Sequence, residues 1–342
     1  LGFEAAAADP CLYVNHRGQA KVLLMVYVDD LLIASTDERK MAETCTGLKA
    51  EFELTDLGEV RHFLGVEVKR ESDVYKLSLK NYTNKLLKDF GMEQCKAAKT
   101  PMDPAYLKVE EAGEEFTDST KYRSLVGGLL YLAIVARPDI AAAAAILGRR
   151  FSAPRECDWT AAKRVLRYLQ GTQDYRLQLG GDKNQDLVGF SDADWAGDAG
   201  SRRSTSGMLF QYGGGSITWA SRRQPCVTLS SMESEYVALC ESCQEAVWLR
   251  QLLRDFGEQQ DNPTVINEDN QGCLAFVRSE RTSRRSKHID TKQKYIHELC
   301  LRKEIKLEYC PTDQMTADVL TKPLGPTKHR EFCELLGLEQ HQ

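Results

Sequence analysis

Two groups of carboxylates stand out by type and spacing. The first is the adjacent pair Asp29 and Asp30, in KVLLMVYVDDLLIAS. Neighbouring acids repel each other unless a cation sits on them. Charge set into an apolar hairpin must be paired or must hold a metal. Hard oxygen ligands suit Mg2+, which phosphoryl-transfer enzymes hold through one or two carboxylates. An exposed Asp-Asp turn is the plainer alternative, and the spacing leaves both open. The second group is spread over the last third of the chain. Asp192 follows the strand-like LVGFS, Glu235 lies in SSMESEYVAL, Asp269 follows TVIN, and Asp318 opens a helical turn in MTADVLTK. Three of these acids fall at or just past a strand end, where open α/β sheets place ligand sites. Four carboxylates from separate elements are what a two-ion phosphodiester hydrolase needs. Each acid alone also fits a solvated cap, and Asp194, Glu233 and Glu268 lie so close by that spacing does not choose among them.

The elements that must position these acids are legible in outline. Residues 21–35 read as two buried strands around the acidic turn. From Asp37 to Phe52 the apolar residues Met41, Cys45, Leu48 and Phe52 recur at helical spacing. HFLGVEVKR and VYKLSL look like strands, and Asn81 to Phe90 like a helix closed by Gly91. Residues 100–115, rich in Pro, Gly and acid, read as a linker. Helices are expected over 123–136, 139–151 and 159–170, then a second linker over 180–186. Strands are expected over 187–191, 208–212, 216–221 and 227–230, with a turn at Gly213 to Gly215. A long helix over 231–256 follows. Next come a strand at 264–268, helices at 271–278 and 291–301, a strand at 305–309 and a helical turn at 315–320. This order after residue 186 predicts a mixed α/β layer.

The 342 residues carry 45 Lys and Arg against 50 Asp and Glu, a formal charge of −5, with 42% hydrophobic residues. That is the composition of a globular chain of about two domains. It excludes a wholly basic coat for nucleic acid but leaves room for local basic faces. The longest apolar run, Val22 to Ile33, is cut by Asp29 and Asp30, so no membrane association is expected. The chain opens on Leu1 without a basic-then-apolar leader and reads as part of a longer or processed product. Its 11 cysteines read as reduced thiols of a cytosolic or nuclear protein, and an intracellular place, a cytoplasmic particle or the nucleus, is expected. Cys240 and Cys243 form a lone CxxC without a second pair at zinc spacing, so they read as helix residues one turn apart.

The motifs also resemble a known family in collinear order over nearly the whole chain. YVDDLLIAS looks like the YxDD hairpin of a reverse-transcriptase palm. DLGEVRHFLGVEV, KLLKDFGM and TPM resemble the segments after the palm in the pol polyprotein of copia-type LTR retrotransposons. YRSLVGGLLYLAIVARPDIA and WTAAKRVLRYLQGT resemble its connection region. FSDADWAGDAGSRRSTSG, LSSMESEYVAL, EDNQGCLA, SKHID and ADVLTKPL resemble its ribonuclease H domain. The resemblance implies an α/β fold: a partial palm and thumb-like region over 1–105, a helical connection over 106–182, a ribonuclease H-like mixed sheet with flanking helices over 183–330, and a tail over 331–342. It implies that Asp29 and Asp30 match the polymerase acids, and that Asp192, Glu235, Asp269 and Asp318 match the four ribonuclease H acids. Two Mg2+ or Mn2+ ions would sit on the latter set. The implied partners are an RNA–DNA hybrid and template nucleic acid.

Departures from the family pattern also matter. A reverse transcriptase needs fingers and a third carboxylate on an earlier palm strand, and the roughly 28 residues before Asp29 are too few to hold them. Polymerisation is therefore expected of a full-length parent with those upstream segments, and cleavage of hybrid RNA of this chain. The mobile His near the fourth acid of many cellular enzymes is absent, since residues 311–315 read PTDQM, although His288 is present in SKHID. Two basic clusters reverse the overall charge. Residues 276–303 carry nine Lys and Arg against three acids, among them Arg278, Arg281, Arg284, Arg285, Lys287 and Lys292. Residues 149–176 carry seven against three, with Lys163, Arg164 and Arg167 one turn apart. Such clusters grip phosphates without reading sequence, or simply solvate a helix face. Two rivals stand beside the hydrolase: a binding remnant without activity, and an integrase-like transferase, against which the fourth acid Asp318 argues.

Overall fold

The computed structural model describes residues 1–16, 20–108, 113–182, 184–198, 200–279 and 287–340, without the side chains of 287–290. Two compact units emerge. The first comprises residues 1–61 and 244–263. Its strands β1 (Glu4–Ala5), β2 (Leu12–Asn15), β3 (Val22–Tyr27) and β4 (Asp30–Ser35) form an antiparallel sheet in that order. Helix α1 (Glu38–Glu51) begins where the Asp37 side chain accepts from the Lys40 N–H, an ordinary N-cap. Ala6, Leu12 and Val14 form a small core with Leu23, Met25, Leu252 and Phe256.

The second unit, residues 62–243 and 264–342, holds the rest. It runs β5 (His62–Phe63), β6 (Val66–Glu71), β7 (Val74–Ser78), α2 (Lys80–Asp89), α3 (Ser119–Val135), α4 (Ala141–Gly148), α5 (Glu156–Gly171) and β8 (Tyr175–Gly180). Then come β9 (Val188–Asp194), β10 (Thr205–Tyr212), β11 (Gly215–Arg223), α6 (Ser231–Asp255), β12 (Thr264–Glu268), α7 (Gln271–Arg278), α8 (Lys287–Leu301), β13 (Ile305–Tyr309), α9 (Pro326–Leu335) and β14 (Leu338–Gln340). Helix α6 starts in this unit, and its residues from 244 onward count with the first. One sheet has the order β14-β8-β7-β6-β5 and is antiparallel throughout. The other has the order β11-β10-β9-β12-β13, antiparallel up to β9 and parallel from β9 to β13. This is the mixed α/β layer expected after residue 186. No helix among the described residues is long and apolar enough to cross a membrane.

A single hydrophobic cluster ties α2 to α5, both sheets and α9 together. It includes Leu87, Tyr122, Leu129, Leu166, Leu209, Leu320, Phe332 and Leu338. The expected boundaries at 105 and 182 therefore fall inside one compact unit, because the connection helices bury their apolar faces on strands from both sides of them. The residues expected as a tail from 331 onward are likewise built in: Phe332, Cys333, Leu336 and Leu338 are buried, and β14 pairs with β8. Residues 341 and 342 lie outside the described residues.

Three local expectations need correction. Residues 227–230 form no strand. Their polar groups serve the start of α6 instead: the Leu229 N–H donates to the Glu233 carboxylate, and the Ser230 hydroxyl accepts from the Glu233 N–H. The expected second linker begins inside β8, whose residues 175–180 pair with β7 and β14. Helix α3 starts four residues earlier than its apolar run, because the Asp118 side chain accepts from the Lys121 N–H.

Candidate active site

Parallel strands β9 and β12 lie side by side, with Glu268 opposite Ser191. The next residue along each strand direction is an acid, Asp192 on β9 and Asp269 just past β12. Asp192 is thus inside β9, which runs on to Asp194, and not beyond its end. Glu235 comes from the second turn of α6. The side chains of Asp192, Glu235 and Asp269 each offer an oxygen within 4.8 Å of the others. Asp192 and Glu235 are buried, at 2% and 6% exposure, and Asp269 is partly open. Of the acids that spacing left open, Glu233 caps α6 as described. Asp194 is partly buried near Arg149 and Lys322. Glu268 is fully buried, and its N–H-bonded oxygen accepts from Asn270.

Asp318 lies in a short 3-10 turn, Thr316–Leu320, and is completely buried. It lies close enough to Asp192 for the two carboxyls to influence each other, but it is not one of the three converging ligands. Two lysines hold it: Lys322 Nζ lies 2.7 Å from Oδ1 and Lys328 Nζ 2.5 Å from Oδ2. Lys322 also reaches within 3.7 Å of Asp192 Oδ2, and the Thr321 hydroxyl donates to that same oxygen at 2.5 Å. Gly207 on β10, paired with Asp192, gives the turn its room: a Cβ there would lie 2.6 Å from Thr321 Cγ2 and 3.0 Å from the Ala317 carbonyl. On the outer side, the Thr312 hydroxyl donates to Asp269 Oδ2 at 2.6 Å.

The electrostatics follow from this packing. Burial pushes the Asp192, Glu235 and Glu268 carboxyls up, and the neighbouring acids add to the push. Burial also opposes the charge on Asp318, but Lys322 and Lys328 outweigh it and hold that carboxyl below its ordinary value. Glu235 Oε2 is buried without a hydrogen-bond partner. An orphaned carboxylate oxygen beside two further acids is a cost that a hard cation removes. The donor set therefore fits a divalent ion on Asp192, Glu235 and Asp269. The sequence did not point to Lys322, Lys328 and Thr321. Their only signal was position within or after ADVLTKPL, where Lys322 follows Asp318 by four residues.

The remaining expected site residues are dispersed. Asp29 and Asp30 lie at the exposed tip of the β3–β4 hairpin, where Tyr27 pairs with Asp30 and Val28 adopts a φ of 52°. That backbone is unusual for a β-branched residue. Among the described residues no third acid, His or Cys joins the two in a ligand cluster. On α5, the Lys163 ammonium sits over the Trp159 ring, Arg164 meets Asp103 and the Thr100 hydroxyl, and Arg167 donates to the Lys96 carbonyl. Arg164 and Arg167 thus fasten the segment 96–103. Arg278 donates to the Leu307 carbonyl. Lys292 belongs to α8, close enough to Cys240 and Glu241 to favour their anionic forms. Arg281, Arg284 and Arg285 lie outside the described residues, as do the side chains of Lys287 and His288. Cys240 and Cys243 are buried free thiols on α6.

Comparison with known proteins bears on the whole chain. A family model described as reverse transcriptase (RNA-dependent DNA polymerase) matches residues 1–104. The retrovirus-related Pol polyprotein from transposon TNT 1-94 of Nicotiana tabacum is 35% identical over 98% of this chain and 26% of its own length. That from transposon RE1 of Arabidopsis thaliana is 35% identical over 99% of this chain and 23% of its own. A solved foamy viral protease-reverse transcriptase in complex with RNA/DNA hybrid aligns with 84% of this chain and 36% of its own, at 15% identity and a TM-score of 0.49. The chain spans about a quarter of the length of the transposon polyproteins it matches. With YVDDLLIAS, FSDADWAGDAG, EDNQGCLA and ADVLTKPL in family order, the chain belongs to the retrovirus-related Pol polyproteins of copia-type retrotransposons.

Proposed function

We propose that this chain hydrolyses the RNA strand of RNA–DNA hybrids in a metal-dependent reaction, inside the cell. The observation that carries the reading is the convergence of Asp192, Glu235 and Asp269 within 4.8 Å; Glu235 also carries a buried oxygen without a hydrogen-bond partner. Asp192, Glu235 and Asp269 would hold Mg2+ or Mn2+, and Asp318 would serve a second ion during turnover. Bound there, the metal supplies Lewis acidity and lowers the pKa of water toward neutrality. The chain's own residues do the rest. Thr312 and Thr321 fix the carboxylates of Asp269 and Asp192. The lysines at Asp318 hold that carboxylate in place and offset its charge. Arg278, Lys292 and the basic residues between them would grip backbone phosphates, and recognition would come from duplex shape and the 2′-OH. Asp29 and Asp30 are read as the polymerase acids of the parent polyprotein, working with segments upstream of this chain.

The test is cleavage of a labelled hybrid by the purified chain with Mg2+ or Mn2+. Asp192→Asn preserves size but removes a charge from the metal cage. It is expected to lower turnover at least about a hundredfold, the scale of positioned electrostatic groups, while hybrid binding weakens far less. A chain that binds hybrid and never cuts it with either metal would sink the proposal.

A further inference from the structure

Both oxygens of Asp318 face ammonium groups: Lys328 donates to Oδ2 at 2.5 Å, and Lys322 forms an ion pair 2.7 Å from Oδ1, an oxygen with no hydrogen bond of its own. Lys322 also stands 3.7 Å from Asp192 Oδ2, the oxygen that Thr321 occupies from the other side. The face shared by Asp192 and Asp318 is therefore closed by a cation that belongs to the protein. The opposite face differs. There Asp192, Glu235 and Asp269 converge without a cation of the protein recorded between them, and Glu235, only 6% exposed, carries an oxygen without a hydrogen-bond partner. A second divalent ion would have to lie against the Lys322 ammonium, and like charges a few ångströms apart in a buried site repel strongly.

We propose that Lys322 is a resident cation that closes the Asp318 side of the site, so that the free protein takes up one divalent ion and not two. The inference rests on the reading of Asp192, Glu235 and Asp269 as a metal centre. Lys322 here is a positioning residue: it sets how many ions the carboxylates accept and touches no reacting atom. Lys328 supports it by engaging the other Asp318 oxygen.

Metal counting tests this without any turnover. Free Mn2+ is followed by electron paramagnetic resonance as it is titrated into the full chain without nucleic acid. The parent is expected to bind one Mn2+ per chain. Lys322→Met is expected to bind two, and Lys322→Arg, which keeps the charge, one. Two ions in the parent, or one in a folded Lys322→Met, would overturn the proposal and leave the metal centre standing. No ion in the parent would remove the metal centre itself and the proposal with it. Should Lys322→Met fail to fold, crystals of the parent soaked in Mn2+ decide. A single anomalous peak among Asp192, Glu235 and Asp269, with Lys322 still on Asp318, supports it, and a peak touching Asp318 refutes it.

Discussion

At the scale of single residues, the site stores unfavourable electrostatics that a metal relieves. Asp192, Glu235 and Glu268 have carboxyls raised first by burial and then by neighbouring acids, Asp318 in the case of Asp192, and Asp192 and Asp269 in the case of the two glutamates. Their folded values lie above the ordinary 3.8 for Asp and 4.5 for Glu, so the folded metal-free chain holds protons that the unfolded chain has released. What these groups contribute to stability is present at low pH and is lost as pH rises from those ordinary values through the raised ones. Glu235, pushed up to about 11, must keep its proton at pH 8, and Glu235→Gln removes that cost. We expect it to melt above the parent at pH 8 without metal, by a few degrees for each roughly 1 kcal/mol relieved. Added Mn2+ should raise the melting temperature of the parent and not that of the variant, since binding stabilises only a site that exists. A variant that melts lower and still responds to Mn2+ would contradict both halves. Spacing alone could not separate the site acids from Asp194, Glu233 and Glu268; the resemblance singled them out, and only the fold brings Asp192, Glu235 and Asp269 together. The lysines were not legible in the sequence. Lys328 is ten residues from Asp318, and their pairing exists only once α9 folds back beside the 3-10 turn.

Among the elements, β9 and β10 decide whether the fourth acid reaches the other three. Gly207 faces the turn Thr316–Leu320 so closely that a methyl group would meet Thr321 Cγ2 at 2.6 Å, the Ala317 carbonyl at 3.0 Å and Leu320 Cβ at 3.1 Å. Two of these are held by backbone, so the turn itself must move. Gly207→Ala is expected to destabilise the fold by about 1–3 kcal/mol, the ordinary cost of overpacking. It should also loosen the contact of Asp318 and Thr321 with Asp192. Urea unfolding and hybrid cleavage measured together check this; unchanged values in both would show that the turn is not packed as described. Most elements here could be read from apolar periodicity, as with β12 (TVINE) and α6. The misses share a physical cause. Strands β8 and β14 gain their hydrogen bonds from partners about 100 and about 160 residues apart, which no local pattern encodes. At residues 227–230 the alternation VTLS mimics a strand, while Ser230 and Glu233 direct the backbone bonds into a helix start.

Over the whole molecule, a buried polar knot ties the connection helices to the last helix of the second unit. Arg137 makes two bonds to Asp139, at 2.9 and 2.7 Å, and also donates to Thr172. The Tyr168 hydroxyl donates to Asp139 Oδ2, His329 Nε2 meets the Asp139 carbonyl at 3.2 Å, and Cys333 Sγ lies 3.5 Å from His329 Nδ1. With Nε2 as the donor, Nδ1 is left to accept from the thiol, the arrangement of a neutral imidazole. Burial lowers the His329 pKa, and Arg137 adds to this while Asp139 opposes it. The unfolded chain therefore takes up a proton near 6.5 that the folded chain refuses. Stability from this residue is complete above that value and falls as pH drops below it, by at most about 1.4 kcal/mol per pH unit for one proton. The raised carboxyls of the metal site act in the opposite direction over the same range, so the parent's net slope mixes the two. The informative quantity is a difference between proteins. Urea unfolding at pH 7.5 and 5.5 is compared for the parent and for His329→Gln, which can still donate to the Asp139 carbonyl but cannot take up a proton. The parent should lose more stability than the variant between the two pH values, by about one proton's worth. Equal losses would mean that His329 is protonated as readily in the fold as outside it, and that the knot around Asp139 does not hold it neutral.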